Sequence, residues 1–402
     1  MNRLADGLPW QIPHEAMRFA GYRALRELAS TRPQDPVGYG ALGMYLFSHA
    51  AWLAQEMRAG GFDRIVFLAR DGYWVKRAYD LVAPAMGVDV PSAYARISRQ
   101  AAFPLHFPEA EALSALPDWV DVTAHTPMTL AALLEPVLRG DVQAAVEACG
   151  LAWTQRLTRD DIFAFAAACR SCWDQAAADA YRAHARAYLA PLFTGRCATF
   201  DVGYNLRSEA VIREVVGADI TAFITHTDSD VPHRRGVPFR TLYPASPFVS
   251  WVAREQFLLE DAPLCVGYGA DGPVLATQAA DVHPEIRRCQ EAAMAFVEDL
   301  VRTVGRRLVD MPLRPADGCA AFEQFLHSGP YRLMKPFRLS RVENAFHAGA
   351  AGEDGTFLQW RLMQTDYRAA VLGEPRMLNR LRRALIRVRE EPRGALRKLR
   401  RG

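Results

Sequence analysis

Apolar residues follow helical spacing along most of this chain and condense into short continuous runs at a few places. Residues 14–60 carry two helical patterns, HEAMRFAGYRALRELAS and ALGMYLFSHAAWLAQEMRAGG, parted by TRPQDPVGYG and closed by a double glycine. FDRIVFLA follows, with Ile65, Val66, Phe67 and Leu68 consecutive. An unbroken apolar run, without alternation, is the pattern of a central parallel strand buried on both faces. The helical pattern DGYWVKRAYDLVAPAMG comes next, then a second β segment, PSAYARISR, at 91–99. Strand, helix, strand is the repeating unit of an open α/β sheet.

Residues 109–190 read as helical throughout, an insertion between sheet segments. The sheet resumes with RCATFDVG (196–203), a helix over SEAVIREVVG, and a strand in ADITAFITHTD. The stretch DSDVPHRRGVPFRTLYPASP reads as turns, and FVSWVAREQFLLEDAPLCVGYG is dense in polar and aromatic residues. From 283 to 350 the pattern is again mostly helical. The expected fold is α/β, an open and mainly parallel sheet with a large helical insertion and a C-terminal helical region. The expected divisions are an N-terminal helical segment (1–35), an α/β domain (36–275) with its insertion at about 105–190, a helical region (276–372) and a basic tail (373–402).

Composition keeps this within the globular class: half of the 402 residues are hydrophobic and 23% are charged. The N-terminal stretch lacks the apolar run of a secretory signal, and no run reaches the roughly 18 apolar residues of a membrane span. Seven scattered cysteines argue against a disulfide framework and for a reducing cytoplasm. Cys169 and Cys172 form a lone C-x-x-C inside an Ala-rich helical pattern, better read as packed thiols than as a zinc or redox pair. The net charge of +3 is uneven. Residues 376–402 hold eleven Lys or Arg and two Glu, a net +9, against −6 for the remainder. An acidic body makes nucleic acid a poor partner.

Candidate chemistry gathers where strands end, because open parallel sheets bind ligands beyond their carboxyl ends. After the first strand come Arg70, Asp71, Gly72 and Tyr73; after RCATF come Asp201, Gly203, Tyr204, Asn205, Arg207 and Ser208. Each turn enters a helix whose first amides and dipole favour an anion, and each adds an arginine suited to phosphate. Asp71 and Asp201 suit sugar hydroxyls or Mg²⁺. The alternative is that Asp71 and Ser208 cap helices beside solvated arginines. Ser98 and Arg99 end the next β segment and extend the same edge. Arg254, Glu255 and Glu260 add a further arginine and two carboxylates of general-base type, although a surface helix would look similar. There is no G-x-G-x-x-G after the first strand, no P-loop and no G-x-S-x-G elbow. Asp201 is followed by Val202 and Gly203, so the paired aspartates of a haloacid-dehalogenase phosphatase are missing as well.

The strings FLARDGYWVKRAYD, YARISRQ, FDVGYNLRSEA and REQFLLEDAPLCVGY, in that order, resemble the module found beside haloacid-dehalogenase-type hydrolase domains in bacterial surface-polysaccharide proteins. The resemblance spans roughly residues 36–275. It implies a phosphoribosyltransferase-like, Rossmann-like fold and a glycosyltransferase of polysaccharide biosynthesis (O-antigen or capsule). The enzyme would move a 5-phosphoribosyl group from phosphoribosyl pyrophosphate to a glycan on a lipid carrier, and a separate phosphatase would then remove the 5-phosphate. By the same resemblance, Arg70 and Asp71 take pyrophosphate and donor-bound Mg²⁺. Asp201 takes the ribose hydroxyls, and Asn205 to Ser208 the 5-phosphate. Two positions depart from the family pattern: Leu206 stands where its turn has glycine, and Gln256 where its REH block has histidine. The alternatives are a non-catalytic scaffold binding a phospho-sugar or glycan, or a transferase using a nucleotide-sugar donor. Leu378, Leu381, Leu385 and Val388, set among arginines, form a basic amphipathic pattern suited to the inner face of the cytoplasmic membrane. A basic tail without a partner is the other reading.

Overall fold

The computed structural model describes residues 20–120, 125–203, 205–227, 235–242, 251–311, 313–338, 356–371 and 375–390. The chain opens with α1 (Ala20–Ala29), a π-helical turn over Pro36–Leu42, and α2 (Gly43–Gly60). The sheet begins with β1 (Arg64–Leu68), α3 (Gly72–Ala85), β2 (Ser92–Ala95) and the short α4 (Arg99–Ala102). The insertion follows, with α5 (Pro127–Leu134), α6 (Val142–Ala148), α7 (Arg159–Ser171) and α8 (Gln175–Leu189). Then come β3 (Arg196–Asp201), α9 (Arg207–Val216), β4 (Asp219–Ile224), β5 (Phe239–Thr241) and α10 (Trp251–Leu258). A hairpin of β6 (Pro263–Gly269) and β7 (Gly272–Ala279) leads to α11 (Pro284–Val304), α12 (Ala320–Ser328), α13 (Thr356–Val371) and α14 (Arg376–Glu390).

Among the described residues, five strands form a sheet in the order β2-β1-β3-β4-β5, and every neighbouring pair is parallel. The fold is α/β with an open parallel sheet, as the apolar runs predict. The run in β1 is unbroken because both of its faces are covered. Ile65 and Phe67 join a core with α2, α3 and α11; Val66 and Leu68 join the core of the insertion and α9. Period-two alternation along the strand thus feeds two apolar layers. Helix α11 packs on α2 and α3, so the buried apolar residues from Ile286 to Phe337 belong to the first of these cores.

Two stretches hold elements that the sequence pattern does not announce. The stretch read as turns contains β5, a three-residue strand that extends the sheet by pairing with β4 from Ala222↔Phe239 to Ile224↔Thr241. The polar and aromatic stretch after it forms α10 and the antiparallel β6–β7 hairpin. Within the insertion, Ala110–Asp118 is 3₁₀ rather than α, with Pro117 inside it. Cys169 is buried, Cys172 half-buried, and both are free thiols. No helix among the described residues is long and apolar enough to cross a membrane.

Candidate functional site

The strand order sets the location. From β1 the chain crosses through α3 to β2 on one side, and β3 pairs with β1 on the other. The connections therefore diverge between β1 and β3, and a parallel sheet opens its ligand crevice at such a reversal. Register aligns Phe67 with Phe200 and Leu68 with Ala95, which sets the turns at Asp71, Asp201 and Ser98 along one edge.

The alternative reading, that Asp71 and Ser208 cap their helices, does not hold. Asp71 precedes α3 with α-helical backbone angles and no side-chain bond to the helix amides. The N-cap of α9 is Leu206, also without a side-chain cap, and Ser208 lies inside the first turn. Ser98, by contrast, is committed locally. Its hydroxyl accepts from the Ala101 amide at 3.0 Å and donates to the Cys265 carbonyl at 2.5 Å, tying α4 to β6.

Two glycines are required by close approach. A Cβ at Gly72 would lie 3.2 Å from Phe67 Cβ, so glycine lets α3 start directly over the strand. A Cβ at Gly203 would lie 2.9 Å from Asp201 Oδ2, because the Asp201 carboxylate folds back to accept from the amides of Val202 and Gly203. At Leu206 the backbone takes the left-handed conformation (φ 54°) that glycine usually supplies. The Leu206 side chain is buried with Ala222, Ile224 and Val237, which holds that conformation in place. Tyr204 lies outside the described residues.

Three carboxylates converge in the crevice. Burial, then the neighbouring charges of Glu255 and Asp201, raises the Asp71 carboxyl well above the usual range; Arg99 and Arg70 oppose this. Asp201 is raised by burial, against its backbone hydrogen bonds and Arg99. Glu255 is raised by burial and by Asp201, with Arg99 and Arg254 acting to lower it. All three remain partly open to solvent. Arg99 is the cation they share, with Nη2 3.9 Å from Glu255 Oε1.

Behind them lies a fourth carboxylate that the sequence reading did not single out. Glu209, in the first turn of α9, is 1% exposed, and its Oε1 has no hydrogen-bond partner among the described residues. Burial and the charge of Asp201 push its pKa up to about 8. A glutamate in a first helical turn ordinarily reads as a favourable dipole contact on the surface. Only its burial against the sheet distinguishes it, and periodicity does not carry that information.

The stretch 251–269 laces over this edge. Glu260 accepts from Tyr94 Oη at 2.6 Å and pairs with Arg96 at 3.5 Å. Tyr94 in turn packs edge-on against Tyr73. Arg70 Nη1 donates to the Ala262 carbonyl at 3.4 Å. Asn205 and Arg207 are half-buried at the start of α9. Arg254 lies elsewhere in role: it is fully buried and donates to both oxygens of Glu323 on α12, at 3.1 and 2.6 Å. Beside that pair, burial holds His49 down to about 4 and His226 to about 3, so both are neutral. His49 Nε2 and Thr225 Oγ1 are hydrogen-bonded at 3.1 Å. Gln256 is also buried.

No group of three or more His, Cys, Asp or Glu among the described residues has the arrangement of a metal centre. Asp71, Asp201 and Glu255 still fit a divalent cation that arrives with a phosphorylated ligand. Beyond burial, Glu255 and Asp201 raise Asp71, and Asp201 raises Glu255; a cation between them would relieve that repulsion, and Mg²⁺ commonly uses only one or two carboxylates plus substrate phosphates. The chain matches no protein-family model, and no curated protein matches it.

Proposed function

We propose that this protein is a glycosyltransferase of surface-polysaccharide assembly, moving a 5-phosphoribosyl group from phosphoribosyl pyrophosphate to a glycan acceptor. The observation that carries the reading is the convergence of Asp71 and Asp201 from two adjacent strand ends at the reversal of strand order, with Asp71 not spent on capping its helix. Carboxylates held together against their own repulsion are costly, and such strain marks functional sites.

In the reaction the bond between ribose C1 and the pyrophosphate oxygen breaks, and its electron pair leaves with pyrophosphate. An acceptor hydroxyl oxygen bonds to C1 and gives up its proton. Glu255, whose pKa burial raises above the ordinary carboxylate value, is the base that takes this proton. Arg70 and Arg99 hold pyrophosphate, Asp201 orients the ribose hydroxyls, and the first amides of α9 with Asn205, Arg207 and Ser208 hold the 5-phosphate. Asp71 would hold Mg²⁺, which when bound neutralises charge on the leaving group. The site works by positioning and by charge placed in advance. The acceptor is a lipid-linked glycan, the later phosphatase is a separate protein, and the chain works in the cytoplasm at the inner membrane face.

The test is release of pyrophosphate from phosphoribosyl pyrophosphate in the presence of Mg²⁺ and a lipid-linked glycan. Asp71→Asn and Asp201→Asn should each lower the rate by roughly 100-fold or more. Saturable donor binding with no release in any acceptor would instead support a scaffold.

A further inference from the structure

Helix α14 ends the described part of the chain and turns an apolar stripe outward. Met377, Leu378, Leu381 and Leu385 are 72%, 44%, 54% and 69% exposed. At 100° per residue these four positions fall within about 100° of arc, one continuous face. Arg380 sits just beyond one edge of that arc and Arg382 just beyond the other. The opposite face is fixed to the protein. Asn379 donates to Asp366 on α13 at 3.1 Å, Arg383 pairs with the same carboxylate, and Ile386 is half-buried. The polar clamp on Asp366 therefore aims the stripe away from the core.

We propose that this face of α14 docks on an anionic lipid bilayer, lying in its surface plane. The inference rests on the membrane-face location in the reading above and narrows it to one helix face. Charge favours this occupant, since Arg376–Glu390 holds six arginines and one glutamate. Its size does so too. A 15-residue helix is about 22 Å long, so its stripe covers roughly 200 Å², well below the ~800 Å² per partner of a stable protein interface. A helix lying in a membrane surface needs only its own apolar face, with basic residues at headgroup level.

The experiment is flotation of the full-length chain with vesicles of phosphatidylcholine alone and with phosphatidylglycerol added, beside sedimentation of the protein without lipid. The proposal expects binding to the anionic vesicles at least ~10-fold above the neutral ones, weakening with salt. Leu381→Glu with Leu385→Glu should lower vesicle binding by about 10-fold or more. Both positions are exposed, so the circular dichroism spectrum and the donor titration should not change. Equal binding to both vesicle types, or a double variant that floats as well as the parent, overturns it. So does a concentration-dependent dimer that the double variant abolishes while vesicles go unbound. Donor binding is measured separately, so its failure would strike the transferase reading and leave this one standing.

Discussion

Arg99 and Glu255 face each other across the crevice at 3.9 Å, joining the short helix after β2 to the helix that follows β5. This contact places one positive charge among three carboxylates whose burial already raises their pKa values. Arg99→Ala should therefore raise all three further and lower donor affinity by about 10-fold, the effect of losing one charge-assisted contact of about 1.5 kcal/mol. Arg99→Lys should recover part of the loss. Calorimetric titration of the two variants against the parent decides this.

Asp71 contributes repulsion and no helix cap, so its removal should separate stability from binding. Asp71→Asn is expected to leave the melting temperature at pH 8 unchanged or raised by a few degrees, while abolishing Mg²⁺-dependent donor binding. Relieving a trade-off of stability for function commonly gains about 0.5–2 kcal/mol. A variant that melts well below the parent would mean that Asp71 is structural.

Glu209 gives the site a pH signature. In the unfolded chain its carboxyl ionises near 4.5; in the folded protein it does so near 8. Between those values the folded state holds a proton that the unfolded state has lost, so stability falls as pH rises, and levels off above about 8. From pH 7 to 8 this one group accounts for at most about 1 kcal/mol. His49 and His226 act in the opposite direction, mainly below their ordinary value of 6.5, and add only a few tenths of a kcal/mol in that window. Urea titrations at pH 7 and 8 should show the loss, and Glu209→Gln should flatten it.

Leu206 tests which of two opposed terms is larger. Leu206→Gly relieves a left-handed backbone at φ 54° worth about 1 kcal/mol, but empties a buried leucine site worth about 2–4 kcal/mol. Net destabilisation by about 1–3 kcal/mol is expected from equilibrium unfolding. Gly203→Ala should act differently, pushing on Asp201 Oδ2 and weakening donor binding by about 10-fold with a smaller stability effect.

Arg254 is fully buried and bonded twice to the half-buried Glu323, so removing one partner leaves the other charge uncompensated. Arg254→Ala should cost about 3–5 kcal/mol, and the double change to Met and Leu much less. A double-mutant cycle read by thermal unfolding measures the pair directly.

These residues also show how far the sequence could be read. The unbroken run Ile65–Leu68 announces a strand covered on both faces, because burial on two sides needs no polar alternation. Asp71 and Asp201 stand out because a strand-to-helix turn needs no second charge. Strand β5 is hidden, since three residues bounded by Pro238 and Pro244 carry no period. In sequence Arg254 looks like one more arginine of the site. Its partner Glu323 lies far along the chain and is brought to it only by the packing of α12, which local pattern does not encode. Glu209 stays hidden for the same reason: its role comes from the sheet it is pressed against.

The most direct test of the account is isothermal titration of the full-length protein with phosphoribosyl pyrophosphate, with and without Mg²⁺. The account predicts saturable binding that needs Mg²⁺ and weakens by at least ~10-fold in both Arg70→Ala and Asp201→Ala. No binding, or binding that neither substitution changes, would contradict it.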